Sequence, residues 1–402
     1  MNKHLLFGTL MLAGLCQVGN AQTRATRTSV AAGNATNPLT WDCFCIPLPG
    51  DAIIINHAVI LDSDFGYTSG SVTINAAGSL TGDIPTRAFA LTGGSFTNNG
   101  TMTVGDFYHG GGSFSNSGTL TILNAFASDM TAVTTTTGTF NVNDTLYINT
   151  GATLNANGII YAKTTASAGT LNNYGDFTGD DVFNTGMIGN TSGPGMDIDN
   201  LYTSGTVNNN SLIHCSLDLW NSETFTNGNS IVIDRNFWNG DTIAGSATFT
   251  NNGTISVAVD LNNSETMDGT GDYCVAGSST NAGVVNGTLD ICDLSGTNFD
   301  TNIGTIAGTV THCSAGSCAI GVAENKMFEH AVYPNPFNTI INFETKINGA
   351  YKLNVTNSVG EIIFNLNFTG NKYSLDASAL TQGVYFYSLS SEAGVVNGTL
   401  VK

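Results

Sequence analysis

A degenerate repeat constrains this chain more than any other feature. In Phe96-Thr-Asn-Asn-Gly100-Thr-Met102-Thr-Val104 an apolar anchor is followed by Gly at +4 and by apolar residues at +6 and +8. The same frame fits Phe114, Gly118, Leu120, Ile122 and Phe249, Gly253, Ile255, Val257. With Asp or Asn replacing Gly it fits the blocks opened by Phe140 and Phe225, and looser copies open at Ile74, Leu154, Leu171, Val182 and Val207. Ten anchors spread over 175 residues, a mean step of about 19. A further apolar residue often follows at +12: Phe126, Leu219, Phe237, Leu261.

Alternate residues of a strand point to opposite faces, so +6 and +8 share one face and the Thr or Ser between them faces water. Gly, Asn and Asp at the corners are expected to supply backbone with positive φ. One such coil cannot bury its apolar stripe alone, whereas stacked coils make a continuous core. The expected fold class is therefore all-β, with a right-handed parallel β-helix (β-solenoid) body about 50 Å long. The competing reading takes Asn-Gly as hairpin turns of tandem antiparallel sandwiches. It lacks room for Greek-key crossovers within so short a period.

Charge narrows the partners. Residues 88–325 hold twenty acidic side chains and only Lys163 and Arg235 as bases, a net −18 within a chain of net −19. Such a segment cannot neutralise a phosphate backbone, which argues against nucleic acid. Met1 to Ala21 reads as a secretory signal peptide: Lys3, an apolar run from Leu5 to Leu15, and small residues before cleavage between Ala21 and Gln22. Eleven apolar residues are too few to span a bilayer, and no later stretch is long enough, so no transmembrane segment is expected.

The last seventy-five residues change texture. Lysines return, and short alternating runs such as Tyr351-Lys352-Leu353-Asn354-Val355 and Val384-Tyr385-Phe386-Tyr387 predict a small Ig-like antiparallel β-sandwich. Tyr333-Pro334-Asn335-Pro336-Phe337-Asn338, Asn357-Ser358-Val359-Gly360-Glu361, and the segment from Leu375 to Leu389 with Gly383 and Tyr385, ending at Lys402, resemble the type A C-terminal sorting domain of the Bacteroidetes type 9 secretion system. That resemblance implies passage through the periplasm and outer membrane by the type 9 machinery and removal of the domain by its C-terminal signal peptidase. It also implies release of the body or attachment to surface lipopolysaccharide. The expected organisation is signal peptide 1–21, N-terminal segment and cap 22–73, solenoid with a cysteine-containing cap 74–320, linker 321–327, and sorting domain 328–402.

An exported chain favours disulfides over metal ligands for Cys274, Cys292, Cys313 and Cys318. Of three connectivities, Cys274–Cys292 with Cys313–Cys318 is preferred. Cys43 and Cys45 are a candidate bond across one residue, and Cys215, at a +8 position, is expected as a buried free thiol. His57, His109, His214 and His312 are scattered, so no metal or other cofactor is expected. Asp180-Asp181 is the one carboxylate pair suited to glycoside hydrolysis, but a β-helix hydrolase resemblance would also need Arg-x-Lys, which is absent. Asp197-Ile198-Asp199 and Asp290-Ile291-Cys292-Asp293 are no full calcium loops. Tyr108, Tyr202, Trp220 and Trp238 each adjoin a core position and therefore point outward, a candidate stacking strip for sugar rings. The functional expectation is a non-catalytic, adhesin-like surface protein that binds glycans or matrix. The alternative is a β-helix lyase or hydrolase.

Overall fold

The computed structural model describes residues 25–402 apart from 241–246, 295–298, 315–317, 319–329, 358–361 and 392–393. The chain forms two compact units, Met1–Cys318 and Ala319–Lys402. The expected signal cleavage site Ala21/Gln22 and the sorting-motif residue Gly360 lie outside the described residues.

The first unit is a parallel β-solenoid of about 13 turns. A typical turn carries three short strands, seen in Ser95–Asn98, Thr101–Val104 and Asp106–His109, and in the middle coils the second and third join into one, as in Thr139–Ile148. First-face strands stack into a 15-stranded sheet, and those of the other two faces into a 23-stranded sheet. Pairing between coils is parallel and in register: Phe96 opposes Phe114, Met102 opposes Leu120, and Phe107 opposes Phe126. The +6 and +8 side chains point inward as the alternation requires, with Met102, Leu120, Ile231 and Ile255 all at most 1% exposed. Phe89, Phe96, Phe107, Phe114, Phe126 and Phe140 form one interior aromatic column, with neighbouring centroids 4.9 to 5.9 Å apart.

Three expectations about the repeat are corrected. Phe140 pairs with Leu120 and Val182 with Leu201, so these residues sit on the second and third faces; Ile74 pairs with Asn98, two residues past its coil's own anchor position, Val72. All three faces bury alternate residues, so the apolar frame can be entered at the wrong corner. The supposed caps also contain full coils: Ala52–Ile55, Ala58–Leu61 and Phe65–Tyr67 make one near the entry, and Val284–Val285, Asp290–Asp293 and Thr301–Asn302 another near the exit. Capping at the entry falls to residues before 52, where Trp41 is 2% exposed and its indole N–H donates to the Ala35 carbonyl.

The corner glycines are there for close approach, and Gly100, Gly118 and Gly138 do not have positive φ. A Cβ on Gly118 would lie 2.1 Å from the Gly100 carbonyl oxygen, and one on Gly138 2.2 Å from that of Gly118. At these corners the stacking leaves no room for a side chain, whereas Ser211 and Asn229 take the equivalent place in later coils.

The corner asparagines turn inward, at +2 from the first-face anchor. Asn173 Nδ2 donates to Asn190 Oδ1 at 2.9 Å, Asn190 to Asn209 at 2.7 Å, Asn209 to Asn227 at 2.8 Å and Asn227 to Asn251 at 2.8 Å. The amide oxygens of Asn173, Asn209, Asn227 and Asn251 also accept a backbone N–H two residues on, as Asn227 does from Asn229. A second ladder runs Asn221, Asn239, Asn263, Asn281 and Asn302, at 2.7 to 2.9 Å per step. Apart from exposed Asn302 at the exit, these amides are almost fully buried, and the ladders match donor to acceptor where an unpaired amide would be costly.

Disulfides staple the exit as Cys274–Cys318 and Cys292–Cys313, correcting the preferred pairing. Cys274 and Cys292 are register neighbours on adjacent strands, and each bonds instead to the chain that returns past residue 310. Cys43–Cys45 is formed, and Cys215 is a buried free cysteine whose thiol burial pushes upward.

The second unit has five antiparallel strands: His330–Tyr333, Ile340–Asn357, Ile362–Asp376, Val384–Ser391 and Gly394–Val401. In place of two separate sheets, all five join one hydrogen-bonded sheet. Its core gathers Phe337, Ile341, Phe343, Leu353, Val355, Tyr385, Tyr387, Leu389 and Leu400.

Candidate functional site

The third face presents a row of rings to solvent. In Leu219–Asn221, Leu219 and Asn221 are buried, which leaves Trp220 outward and 41% exposed. Register aligns Phe183 with Tyr202, Tyr202 with Trp220, and Trp220 with Trp238, one ring per coil. Centroids are 5.1, 5.6 and 5.5 Å apart along this row. Phe183 and Tyr202 lie nearly parallel at 8°, whereas Trp220 is tilted 59° from Tyr202 and 45° from Trp238.

The structure thus brings together three of the four residues expected in the strip and adds Phe183. The omission of Phe183 follows from placing its neighbour Val182 on the wrong face. Tyr108 is separated from the row: the outward positions that follow it along the ladder are Ala127, Tyr147 and Ala166. Its hydroxyl donates to Asp129 at 3.4 Å.

Beside the rings, the corner between the second and third faces carries a polar ladder that alternates charge with amide. Asn200 Nδ2 donates to Asp181 at 2.8 Å, and the Asp218 backbone N–H donates to Asn200 Oδ1 at 3.1 Å. Asn236 donates to Asp218 through both its backbone N–H and its amide, and the Asp260 N–H donates to Asn236. Interleaved asparagines keep carboxylates from stacking at one-strand spacing, where like charges would repel. Arg235 closes on Asp218 with Nε 2.8 Å away and a second bond from its guanidinium. That guanidinium holds the Asp218 carboxyl below the usual range.

On the second face His214 is clamped between Asp197 (2.7 Å to Nδ1) and Asp234 (3.0 Å to Nε2), and the Asp197 hydrogen bond leads in raising its pKa above 6.5. Asp199 accepts from Ser216, Asp290 from Thr311 and Ser314, and Asp293 from Ser279. Among the described residues no three His, Cys, Asp or Glu side chains converge to hold a metal. None of their helices is long and apolar enough to cross a membrane.

In the second unit the expected sorting residues tie the two ends of the domain together. Asn335 donates from Nδ2 to the Thr399 carbonyl at 2.7 Å and accepts from the Val401 N–H at 2.9 Å. Lys402 Nζ donates to the carbonyls of Ala377, Ser378 and Leu380 at 2.9, 3.0 and 2.7 Å and lies over the Phe337 ring. The Lys402 backbone exchanges hydrogen bonds with Gly383, and the Tyr385 hydroxyl donates to the Thr381 carbonyl. Tyr333 donates to Glu344 and accepts from Lys372 at 2.9 Å.

A solenoid joined to such a domain defines a secreted β-solenoid protein. Residues 331–402 match the family of the secretion system C-terminal sorting domain, so the chain is sorted by the type 9 system for export to the cell surface or extracellular space. No curated protein and no solved structure is significantly similar to the chain.

Proposed function

We propose that the exported body is a non-catalytic surface protein that binds glycans or matrix through its third face. The observation that carries this reading is the row Phe183, Tyr202, Trp220 and Trp238, a run of outward rings bordered by amides and an Arg–Asp pair. Monomeric proteins rarely leave such apolar rows uncovered without a partner. Surface lipopolysaccharide is a further candidate contact once the sorting domain is removed. The catalytic alternative needs a protonated carboxyl opposite an ionised one. Asp218, two rungs from Asp181 on the same ladder, is held ionised by Arg235 and is buried, which argues against it as the acid.

Binding of the full chain to immobilised glycans and matrix proteins tests the reading. Detectable binding that Trp220→Ala with Trp238→Ala abolishes supports it, and unchanged binding moves the site elsewhere. Release of reducing sugars from a polysaccharide panel, lost in Asp181→Ala, would replace it with the hydrolase.

A further inference from the structure

The charge and spacing around the ring row narrow the ligand. Residues 164–262, the coils that carry the row, contain ten acidic side chains and one base, Arg235, a net −9. That base is already neutralised: its guanidinium is bidentate on Asp218, which is only 4% exposed and also accepts from Asn236. His214, the other cationic group nearby, is likewise committed to Asp197 and Asp234. An anionic sugar approaching the row would meet this negative field, with exposed Lys163, on the strand before the one that carries Phe183, as the one further base near it. Hydroxyls, in contrast, can meet the half-buried Asn236 and the exposed edge of the Arg235 guanidinium.

Spacing adds direction. One ring per coil gives centroid steps of 5.1, 5.6 and 5.5 Å, close to the strand spacing that sets them. Sugars in an extended β-linked chain repeat at nearly this distance. Phe183 and Tyr202 cover one another's faces, but the tilt of Trp220 and its exposure leave indole surface for a ligand. We infer that the row takes a neutral, extended polysaccharide lying along the solenoid axis, one sugar per ring, and that the acidic surround rejects uronate-containing chains. This rests on the glycan-binding reading above and goes further by fixing ligand charge and orientation.

The test titrates the full chain with neutral β-linked gluco-oligosaccharides of increasing length, and with oligogalacturonates and oligoalginates of matched length, in EDTA and in Ca²⁺. The readout is tryptophan fluorescence under acrylamide quenching, which reports on exposed Trp220 and half-buried Trp238, Trp41 being already buried. The expected result is affinity that rises to about four sugars, one for each ring, and then levels off, with no acidic ligand bound. Trp220→Ala should weaken the longest neutral ligand about tenfold. Since Trp220 is outward, its circular dichroism and melting should match the parent. Acidic chains bound as tightly as neutral ones, with or without Ca²⁺, would overturn the inference while leaving glycan binding standing. Neutral binding that keeps its strength in Tyr202→Ala with Trp220→Ala would overturn the placement. Failure of every glycan to bind would overturn both.

Discussion

The two units solve chain-end closure in opposite ways. In the solenoid each coil is secured to the next through register pairs, stacked rings and amide ladders, so residues close in sequence do most of the work. In the sorting domain the last strand and Lys402 are pinned to Asn335 and to the 377–383 turn, contacts that span up to 66 residues. A defect in the first should stay local, whereas one at the terminus of the second should loosen the whole domain.

Removing an interior ring should have the largest effect. Phe107→Ala empties a site touching Phe89, Phe96, Phe114 and Phe126 and should cost about 3–5 kcal/mol. Hydrogen exchange should then show lost protection over 80–140 and retained protection over 205–265. Uniform loss across the body would contradict local coupling.

Acidification should come next, through His109. This imidazole is buried against the Thr134 hydroxyl, and burial lowers its pKa to about 4. As pH falls through 6.5 the unfolded chain gains a proton that the fold refuses, so stability drops between about 6.5 and 4, by up to about 3 kcal/mol, and levels off below. His214 has the opposite sign: its raised pKa adds stability fully present below 6.5 and lost as pH rises through the folded value. Denaturant melts against pH should therefore show parent stability rising as pH falls toward 6.5, a rise missing in His214→Gln, with the loss below 6.5 alike in both; identical profiles above 6.5 would refute the pairing.

Cutting an amide ladder comes third. Asn227→Ala takes one of two buried partners from each of Asn209 Nδ2 and Asn251 Oδ1 and should cost about 1–3 kcal/mol, read by thermal melting. At the other unit, Lys402→Ala removes three bonds from a partly exposed ammonium. It should cost only about 1 kcal/mol, confined to protection of 330–401.

Much of this was legible because the repeat is a statement about side-chain direction. Period two placed Met102, Leu120, Ile231 and Ile255 inside and made Cys215 a core thiol. What escaped were residues whose chemistry has two readings. An asparagine at +2, in Asn98, Asn116, Asn173, Asn190, Asn209, Asn227 and Asn251, looks like a turn former; only its recurrence at one offset signals a buried ladder. Gly118 reads as a positive-φ corner, yet it is glycine because Gly100 presses against it. The disulfide pairing depended on where the chain past residue 310 returns, which spacing cannot reveal, and the phase errors at Phe140 and Val182 hid Phe183 from the ring row. The sorting domain was legible for a different reason: its motifs occur in order at the chain terminus, and Asn335 and Lys402 turn out to hold the two ends together.

Spin-label distances along the first face test the stacked-coil account most directly. Outward Ser115 is separated by five, six and seven register steps from Asn208, Thr226 and Thr250. Double electron–electron resonance between label pairs should give distances near 24, 29 and 34 Å, each about one strand spacing longer than the last. Distances that fail to increase with coil number, as tandem hairpin sandwiches would give, would contradict the solenoid and everything built on its third face.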